Sequence, residues 1–266
     1  VLFCAARQYS VFAFHTMRNM RRTTRLQVSE LHVPGYSQTK LPFILSEEER
    51  HQTQHNTMLL AFRPPETETR IPFQNYGYLV HQTRTPIFSA QECQSIVKEA
   101  ENVASRLAWT TNRHGNFPTT DLPLVELPET LQFLKIALEE RIYPALRTQF
   151  GTLLPDPTRL RVVDGFVVKY DADNGQTELK PHRDGSVLSF NIALNPKSDY
   201  EGGGTWFESL QASLTIDQGH MVSHASALLH GGHGITAGKR YILVAFVILE
   251  DYDSWSMRFY NQVRNL

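Results

Sequence analysis

Apolar residues from residue 159 onward come in short alternating or continuous runs that turn residues interrupt, and this pattern predicts a series of short strands. We predict strands at 159–170, 187–194, 205–207, 214–216, 219–224, 225–230 and 242–249, joined by turns at 171–175, 195–196 and 201–204 and by a loop at 176–181. Asp164-Gly165 inside the first strand indicates a bend or bulge. Strands of this length and spacing favour a barrel or a sandwich.

Before residue 159 the apolar positions recur at helical spacing instead. Ser89 and Glu92 form a capping-box pattern, which predicts a helix from there to about Leu107. A second helix is expected at about 129–141, with a kink or break before Pro144 and an end near Gly151. A strand is expected at 76–82. The whole pattern predicts a mainly β fold with supporting helices.

The composition of the 266-residue chain changes near residue 75. Residues 1–30 contain several arginines and no acidic residue before Glu30. Three interpretations of this start stay open: an organelle transit peptide, a truncated signal region, and a gene-model start ahead of the true one at Met17 or Met20. We expect residues 1–74 to be a basic and then polar extension, for targeting or disordered. Residues 75–266 form the expected domain, with helical support at 86–151 and a β core at 159–250.

Charge and composition narrow the class of function. A net charge of −1 argues against a protein that binds the phosphate backbone of nucleic acids. No apolar run is long enough for a membrane span. Cys4 and Cys93 make neither a disulfide framework nor a thiolate metal site. The compartment stays open, with the cytoplasm slightly favoured over the endoplasmic reticulum or an organelle, and the oligomeric state is not predicted.

Three residues of the predicted β core have the side chains of a metal site. His182 and Asp184 are two residues apart, and in an extended strand such residues point to the same face. His230 closes the apolar run 227–229 and can return to the same place from a neighbouring strand. Two histidines and one carboxylate make the facial triad of non-haem Fe(II) oxygenases. A His-x-Asp pair alone is weak evidence, and a hydrogen-bonded structural role is the simpler interpretation of each histidine taken separately.

A basic residue near this triad predicts a second ligand. Arg240 follows His230 by ten residues and leads into the apolar run 242–249. A charge at the start of a buried strand is costly without an anionic partner. Because a guanidinium forks well onto a carboxylate, we predict that Arg240 anchors the distal carboxylate of a dicarboxylate co-substrate.

Motifs around these residues resemble the iron- and 2-oxoglutarate-dependent dioxygenases of the prolyl and lysyl hydroxylase type, and most of all the catalytic domain of procollagen lysyl hydroxylases. The similar segments are 166–170, 181–186, 190–195, 200–205, 230–232 and 238–246. The resemblance implies a double-stranded β-helix (jelly-roll) core. It implies Fe(II) bound by His182, Asp184 and His230, and the 5-carboxylate of 2-oxoglutarate bound by Arg240. It also implies that Tyr170 and Asn191 line the co-substrate pocket.

The same resemblance implies hydroxylation of a C–H bond, with 2-oxoglutarate and O2 consumed, succinate and CO2 released, and ascorbate as a reductant. A peptidyl lysine or proline is the expected substrate. The alternatives are the same chemistry on a small molecule or nucleic acid, and an inactive barrel that acts as a binding module. Phe246 stands where AlkB-type demethylases have a second arginine, which disfavours nucleic acid. The intact triad and Arg240 count against an inactive barrel.

Other histidines compete for these roles. His220 and His224 are four residues apart, but their surroundings predict a strand, so structural or surface roles are favoured for both. His233 competes with His230 for the third ligand position. We prefer His230 because its distance from Arg240 matches the family spacing, and we expect His233 at the rim of the site.

The segment 108–125 is predicted to be a long loop that is both polar and aromatic. Loops of this length are uncommon without a task. A solvated connection and a substrate lid both stay open as interpretations. His114 lies in this loop and is a candidate for substrate contact.

Overall fold

An antiparallel hairpin forms one edge of the larger sheet. The computed structural model describes residues 44–50, 64–250 and 254–266, so the interpretations of residues 1–30 lie outside the described residues. Strand β1 (Thr67–Pro72) pairs with β2 (Tyr78–Thr83). The composition of the chain predicts that these residues belong to the extension, whereas in the structure β1 extends the larger sheet.

Helix α1 (Ala90–Leu107) confirms the predicted helix and its start. The Ser89 hydroxyl accepts a hydrogen bond from the Glu92 amide at 3.2 Å, and the Glu92 carboxylate accepts one from the Ser89 amide at 2.7 Å. This reciprocal cap satisfies two amides that the first helical turn leaves without partners. The helix buries Cys93, Ile96, Ala100 and Val103 against the core.

The second helical segment is longer than predicted. Helix α2 (Pro128–Ala137) continues through a π-helical turn (Leu138–Ile142) into helix α3 (Tyr143–Phe150). The predicted break before Pro144 is this π-helical turn. Proline has no amide to donate, so a local widening of the helix accommodates it without ending the helix. No helix of the described ranges is both long and apolar enough to cross a membrane.

The remaining strands build two antiparallel sheets. They are β3 (Asp121–Pro123), β4 (Leu160–Asp171), β5 (Leu179–His182), β6 (Leu188–Ala193), β7 (Tyr200–Gly202), β8 (Thr205–Phe207), β9 (Ala212–Leu214), β10 (Met221–Ala225), β11 (His230–Gly232) and β12 (Ile235–Leu249). The larger sheet has the order β1-β2-β10-β6-β12-β4-β3, with β7 beside β12, and the smaller has the order β5-β11-β8-β9. Helix α4 (Ser254–Arg264), for which we made no prediction, follows the last strand. The predicted mainly β fold with supporting helices is confirmed.

Strand β12 is the centre of the larger sheet, because it pairs with β4, β6 and β7. Its partner β4 contains the predicted bulge. Phe246 pairs with Asp164 and Val247 with Val162, so Val163 is the extra residue.

Two predicted boundaries near the site are wrong. The predicted loop 176–181 includes most of β5, and the predicted strand 225–230 is divided by a turn. His230 therefore begins β11 instead of ending a strand. Strands β5 and β11 are stabilised by pairing with each other, although some fifty residues separate them in the chain. Local sequence does not reveal such a long-range pairing.

Candidate metal and co-substrate site

The predicted metal ligands come together where β5 meets β11. His182 pairs with His230 across these two strands, and Asp184 lies two residues beyond the end of β5. The Nε2 atom of His182 is 3.3 Å from Oδ1 of Asp184, and the Nε2 atom of His230 is 3.4 Å from Oδ2. One donor atom from each residue lies within 4.8 Å of the other two. Side chains from two distant segments of the sequence thus converge on one point.

Backbone carbonyls orient both imidazole rings. The Nδ1 atom of His182 lies 2.9 Å from the Lys180 carbonyl, and the Nδ1 atom of His230 lies 3.0 Å from the Leu228 carbonyl. A carbonyl only accepts hydrogen bonds, so each Nδ1 carries a proton, and loss of the proton from Nε2 leaves a neutral ring whose lone pair on Nε2 faces Asp184. This is the tautomer that a histidine needs in order to bind a metal through Nε2.

The carboxylate of Asp184 is buried but ionised. Burial favours the neutral acid, yet His230 and His182 outweigh it and hold the pKa of Asp184 well below its usual range. The Ser189 hydroxyl donates a hydrogen bond to Oδ2 of Asp184 at 2.5 Å. Two imidazole nitrogens and one oriented carboxylate form the donor set that suits Fe(II) with further positions open.

Arg240 is a buried cation with unused donors. It lies on β12 opposite Tyr170 and is 2% exposed. Its guanidinium lies beside Tyr170 and Tyr200 and opposes the rise that burial causes in the pKa of both tyrosines, and its carbon lies 5.2 Å from the Tyr170 ring centre. Nε and Nη1 have no partner, and no carboxylate of the described residues pairs with the guanidinium. Such a group requires an anion, and a carboxylate matches its two parallel N–H donors.

The other two predicted co-substrate residues line the same cavity. Tyr170 is fully packed beside Arg240, and Gly232 makes room for it, since a Cβ at position 232 would lie 2.5 Å from the Tyr170 hydroxyl. Asn191 donates to the Thr205 hydroxyl at 3.1 Å, while its Oδ1 is buried without a partner. Thr205 and Gly232 were not singled out from the sequence, because their contacts depend on the pairing of the sheets.

A cavity of about 410 Å³ connects the metal ligands with Arg240. Its apolar walls are formed by Phe166, Val168, Phe190, Ile242, Val244 and Phe246. This volume lies within the usual range for small-molecule sites, and a few convergent polar groups on apolar walls are typical of them. The cavity can hold a small dicarboxylate between the metal ligands and Arg240.

Among the described residues, His220, His224 and His233 are not part of the metal-ligand cluster. His224 is buried with its ring 4.2 Å from that of His230, and burial lowers the pKa of His224 to about 3. A neutral His224 therefore packs behind the site, where we had not expected a cavity-lining residue. The His220 ring contacts the Thr83 carbonyl, and His233 contacts the Ser213 hydroxyl at the surface.

The loop after α1 reaches the mouth of the cavity. The ring of Phe117 lies 5.1 Å from that of His182, and the ring of His114 lies 4.8 Å from that of Phe166. Both loop residues line the cavity. Of the two interpretations of this loop, the substrate lid is the one that this placement favours.

Sequence comparison relates the chain to larger proteins. No protein-family model matches it. It is 34% identical to the human multifunctional procollagen lysine hydroxylase and glycosyltransferase LH3 over 176 residues, 61% of this chain and 23% of that protein. It is 30% identical to human procollagen-lysine,2-oxoglutarate 5-dioxygenase 1 over 271 residues, 92% of this chain and 33% of that protein. The chain thus spans about a quarter to a third of the length of these curated relatives.

Solved structures show the same fold. The viral collagen prolyl hydroxylase of Paramecium bursaria Chlorella virus-1 matches with a TM-score of 0.50 and 13% identity, over 66% of this chain and 98% of that one. A 2OG-Fe(II) oxygenase family oxidoreductase from Burkholderia pseudomallei matches with a TM-score of 0.50 and 16% identity, over 64% and 85%. These matches confirm the predicted jelly-roll core. The chain is therefore similar in sequence to the procollagen lysine hydroxylases and has the fold of the 2OG-Fe(II) oxygenases, which confirms the resemblance seen in its motifs.

Proposed function

We propose that the chain is an Fe(II)- and 2-oxoglutarate-dependent dioxygenase that hydroxylates a C–H bond of a peptidyl lysine or proline. The observation that carries this proposal is the buried guanidinium of Arg240, whose free donors lie in the same cavity as the metal ligands. A His-Asp-His cluster alone suits several kinds of metal protein. An unpaired buried cation beside it specifies a co-substrate with an anionic end.

Each residue has a defined task in this reaction. His182, Asp184 and His230 hold Fe(II), while Arg240 binds the distal carboxylate of 2-oxoglutarate and so orients its keto acid end. The iron, when bound, supplies the activation of dioxygen. Overall, 2-oxoglutarate, O2 and a C–H bond give succinate, CO2 and a C–OH group, with one oxygen atom in succinate and the other in the new hydroxyl. Ascorbate acts as the reductant that maintains Fe(II).

The names of similar proteins support a peptidyl substrate. Both human relatives are described as hydroxylating lysine of procollagen, and the viral structure is a collagen prolyl hydroxylase. The cavity is compatible with this class, because its mouth opens beside the loop residues His114 and Phe117. An extended peptide can therefore present one side chain while its backbone stays outside.

The test is succinate formation from 2-oxoglutarate with Fe(II) and ascorbate, with and without peptides containing lysine or proline. We expect a peptide to stimulate succinate, and His182→Ala or Asp184→Ala to abolish it. His220→Ala is the matched control, since this histidine lies outside the cavity and should leave the rate unchanged. Undiminished turnover in both ligand variants would end the iron assignment.

A further inference from the structure

His114 is fixed in the cavity wall by a contact that the proposed reaction does not use. Its ring packs on Phe166, and its Nε2 lies 3.5 Å from Oδ2 of Asp121, a carboxylate with no solvent exposure. Nε2 is itself buried and makes no hydrogen bond within the described residues, so its approach to Asp121 is an electrostatic contact. Nδ1 likewise makes no hydrogen bond to any residue that the structure describes. The ring is therefore held on one edge and has a free nitrogen for a group in the cavity.

A network of buried charges holds this pair in place. Asp121 accepts a hydrogen bond from Nη1 of Arg113 at 2.9 Å and one from the Thr110 hydroxyl at 3.1 Å. Arg113 also lies 3.3 Å from Asp164 and stacks over Phe166 at 5.1 Å. Buried ion pairs contribute little net stability because desolvation opposes them. A cluster of this kind beside a cavity is a candidate for function.

The charge of the network determines what His114 can bind. Burial lowers the pKa of His114, so its ring is neutral. With Nε2 beside a carboxylate, the proton lies on Nε2 and leaves Nδ1 as a hydrogen-bond acceptor. Burial raises the pKa of Asp164 to about 6, so Asp164 is ionised at neutral pH. Asp121 and Asp164 outnumber the single guanidinium of Arg113, and this net negative charge favours a cationic donor at Nδ1.

We propose that His114 is the residue that recognises the substrate side chain, and that its Nδ1 accepts a hydrogen bond from the ammonium group of a lysyl residue. Asp121 is a positioning residue that orients the His114 ring. This inference rests on the proposed function and narrows its substrate class. A lysyl ammonium has three N–H donors, whereas a prolyl residue within a peptide has none. The pair therefore selects lysine over proline.

Another unpartnered acceptor in the cavity does not take this role. Oδ1 of Asn191 is also free, but Asn191 lies on β6 beside Thr205 and belongs to the wall assigned to 2-oxoglutarate. His114 lies on the loop at the mouth, where a peptide enters. The two acceptors thus serve the two ends of the cavity.

The experiment uses three peptide libraries that are randomised at the flanking positions and have a central lysine, norleucine or proline. Succinate is measured, and mass spectrometry identifies peptides that have gained one oxygen atom. With the wild-type protein we expect the lysine library to stimulate succinate well above the other two. In His114→Ala we expect this stimulation to fall roughly tenfold to hundredfold, the usual effect of losing a hydrogen bond to a charged group.

Further variants separate recognition from folding. Affinity for 2-oxoglutarate, measured by calorimetry with Mn(II), should stay unchanged in His114→Ala. His114→Gln should recover part of the lysine stimulation, because its amide oxygen is an acceptor. Asn112→Ala is the matched control, an exposed residue of the same loop that should behave as wild type.

Several results would overturn the assignment of His114. They are equal stimulation by the norleucine or proline library, undiminished lysine stimulation in His114→Ala, and loss of 2-oxoglutarate binding in that variant. In each case, stimulated succinate in the wild type would still support the dioxygenase. No succinate with any library, with Mn(II) and 2-oxoglutarate shown to bind, would overturn the proposed function and this inference together.

Discussion

Arg240 carries more of the functional argument than any other single residue. Its guanidinium is almost fully buried, and its Nε and Nη1 make no hydrogen bond within the described residues. We expect Arg240→Ala to weaken binding of 2-oxoglutarate roughly tenfold to hundredfold, since charge-assisted hydrogen bonds are lost. Calorimetry with Mn(II) measures this without turnover. Lys239→Ala is the control, because that side chain is exposed, and equal affinity in Arg240→Ala would refute the anchor.

Asp164 gives a stability effect that depends on pH. Burial raises its pKa to about 6, above the unfolded value near 3.8. The folded state therefore binds the proton of Asp164 more tightly than the unfolded state does. The resulting contribution to the free energy of unfolding is fully present below about pH 3.8 and is lost as the pH rises through 6. The total is about 3 kcal/mol, from about 1.4 kcal/mol per pKa unit.

Asp164→Asn removes this titration. Urea unfolding at pH 4 and pH 7 should show that the wild type loses more stability than the variant over this interval, by up to about 3 kcal/mol. Asp173→Asn, at an exposed aspartate, is the matched control, in which the wild-type difference between the two pH values should persist. If the free energies of unfolding of the wild type and Asp164→Asn differed by the same amount at both pH values, this result would contradict the raised pKa of Asp164.

Cys93 should be inert in the folded protein. It is fully buried on α1, and burial raises the pKa of its thiol to about 12. The thiolate is the reactive form, so two effects suppress alkylation: the reagent cannot reach the buried side chain, and the thiol stays protonated. With Cys4→Ser as background, a thiol reagent should label Cys93 in urea and leave it unlabelled in buffer. Rapid labelling in buffer would show that α1 opens from the core.

At the scale of the elements, strand β12 requires a left-handed backbone conformation at Gly238. Gly238 has φ +75°, and a Cβ there would lie 2.0 Å from the Asp199 carbonyl oxygen. We expect Gly238→Ala to destabilise the protein by roughly 2 kcal/mol or more, because a left-handed φ and a backbone clash add. Gly234→Ala is the matched control, with no contact closer than 3.8 Å. Equal midpoints of urea unfolding for the two variants would contradict this strain.

Local sequence predicts some elements much better than others. Helix α1 and its cap follow from neighbouring residues, because Ser89 and Glu92 satisfy amides within the same turn. Strands β5 and β11 have no such local basis, since they are short and form by pairing with each other, with β11 also pairing with β8. For the same reason β1 was placed in the extension, although its pairing with β2 makes it part of the sheet.

For the molecule as a whole, metal binding should stabilise the fold. A ligand that binds only the folded state adds about 2.7 kcal/mol at one hundred times its Kd, which raises Tm by roughly 5 to 10 °C for a chain of this size. We expect Mn(II) to produce such a shift in the wild type and none in His230→Ala. His233→Ala should keep the shift. If His233→Ala lost the shift in Tm and His230→Ala kept it, His233 would be the third ligand in place of His230.

The chemistry of the site could be inferred from the chain because it depends on residue types at short spacings. The spacing of His182 and Asp184 predicts that they point to one face, and Arg240 precedes an apolar run, so the sequence predicts a metal and an anion. The roles of all six predicted site residues stay predictions until the variants are measured. The jelly-roll core itself followed from the family motifs.

The partners of these residues required the folded molecule. The contact of His114 with Asp121, the link from Arg113 to Asp164, and the space that Gly232 leaves for Tyr170 all join segments that local periodicity treats as unrelated. Burial and long-range strand pairing create these contacts, and both depend on how the two sheets pack. A sequence therefore shows which groups can react, whereas the packing of the sheets sets which groups meet and which charges remain unpaired.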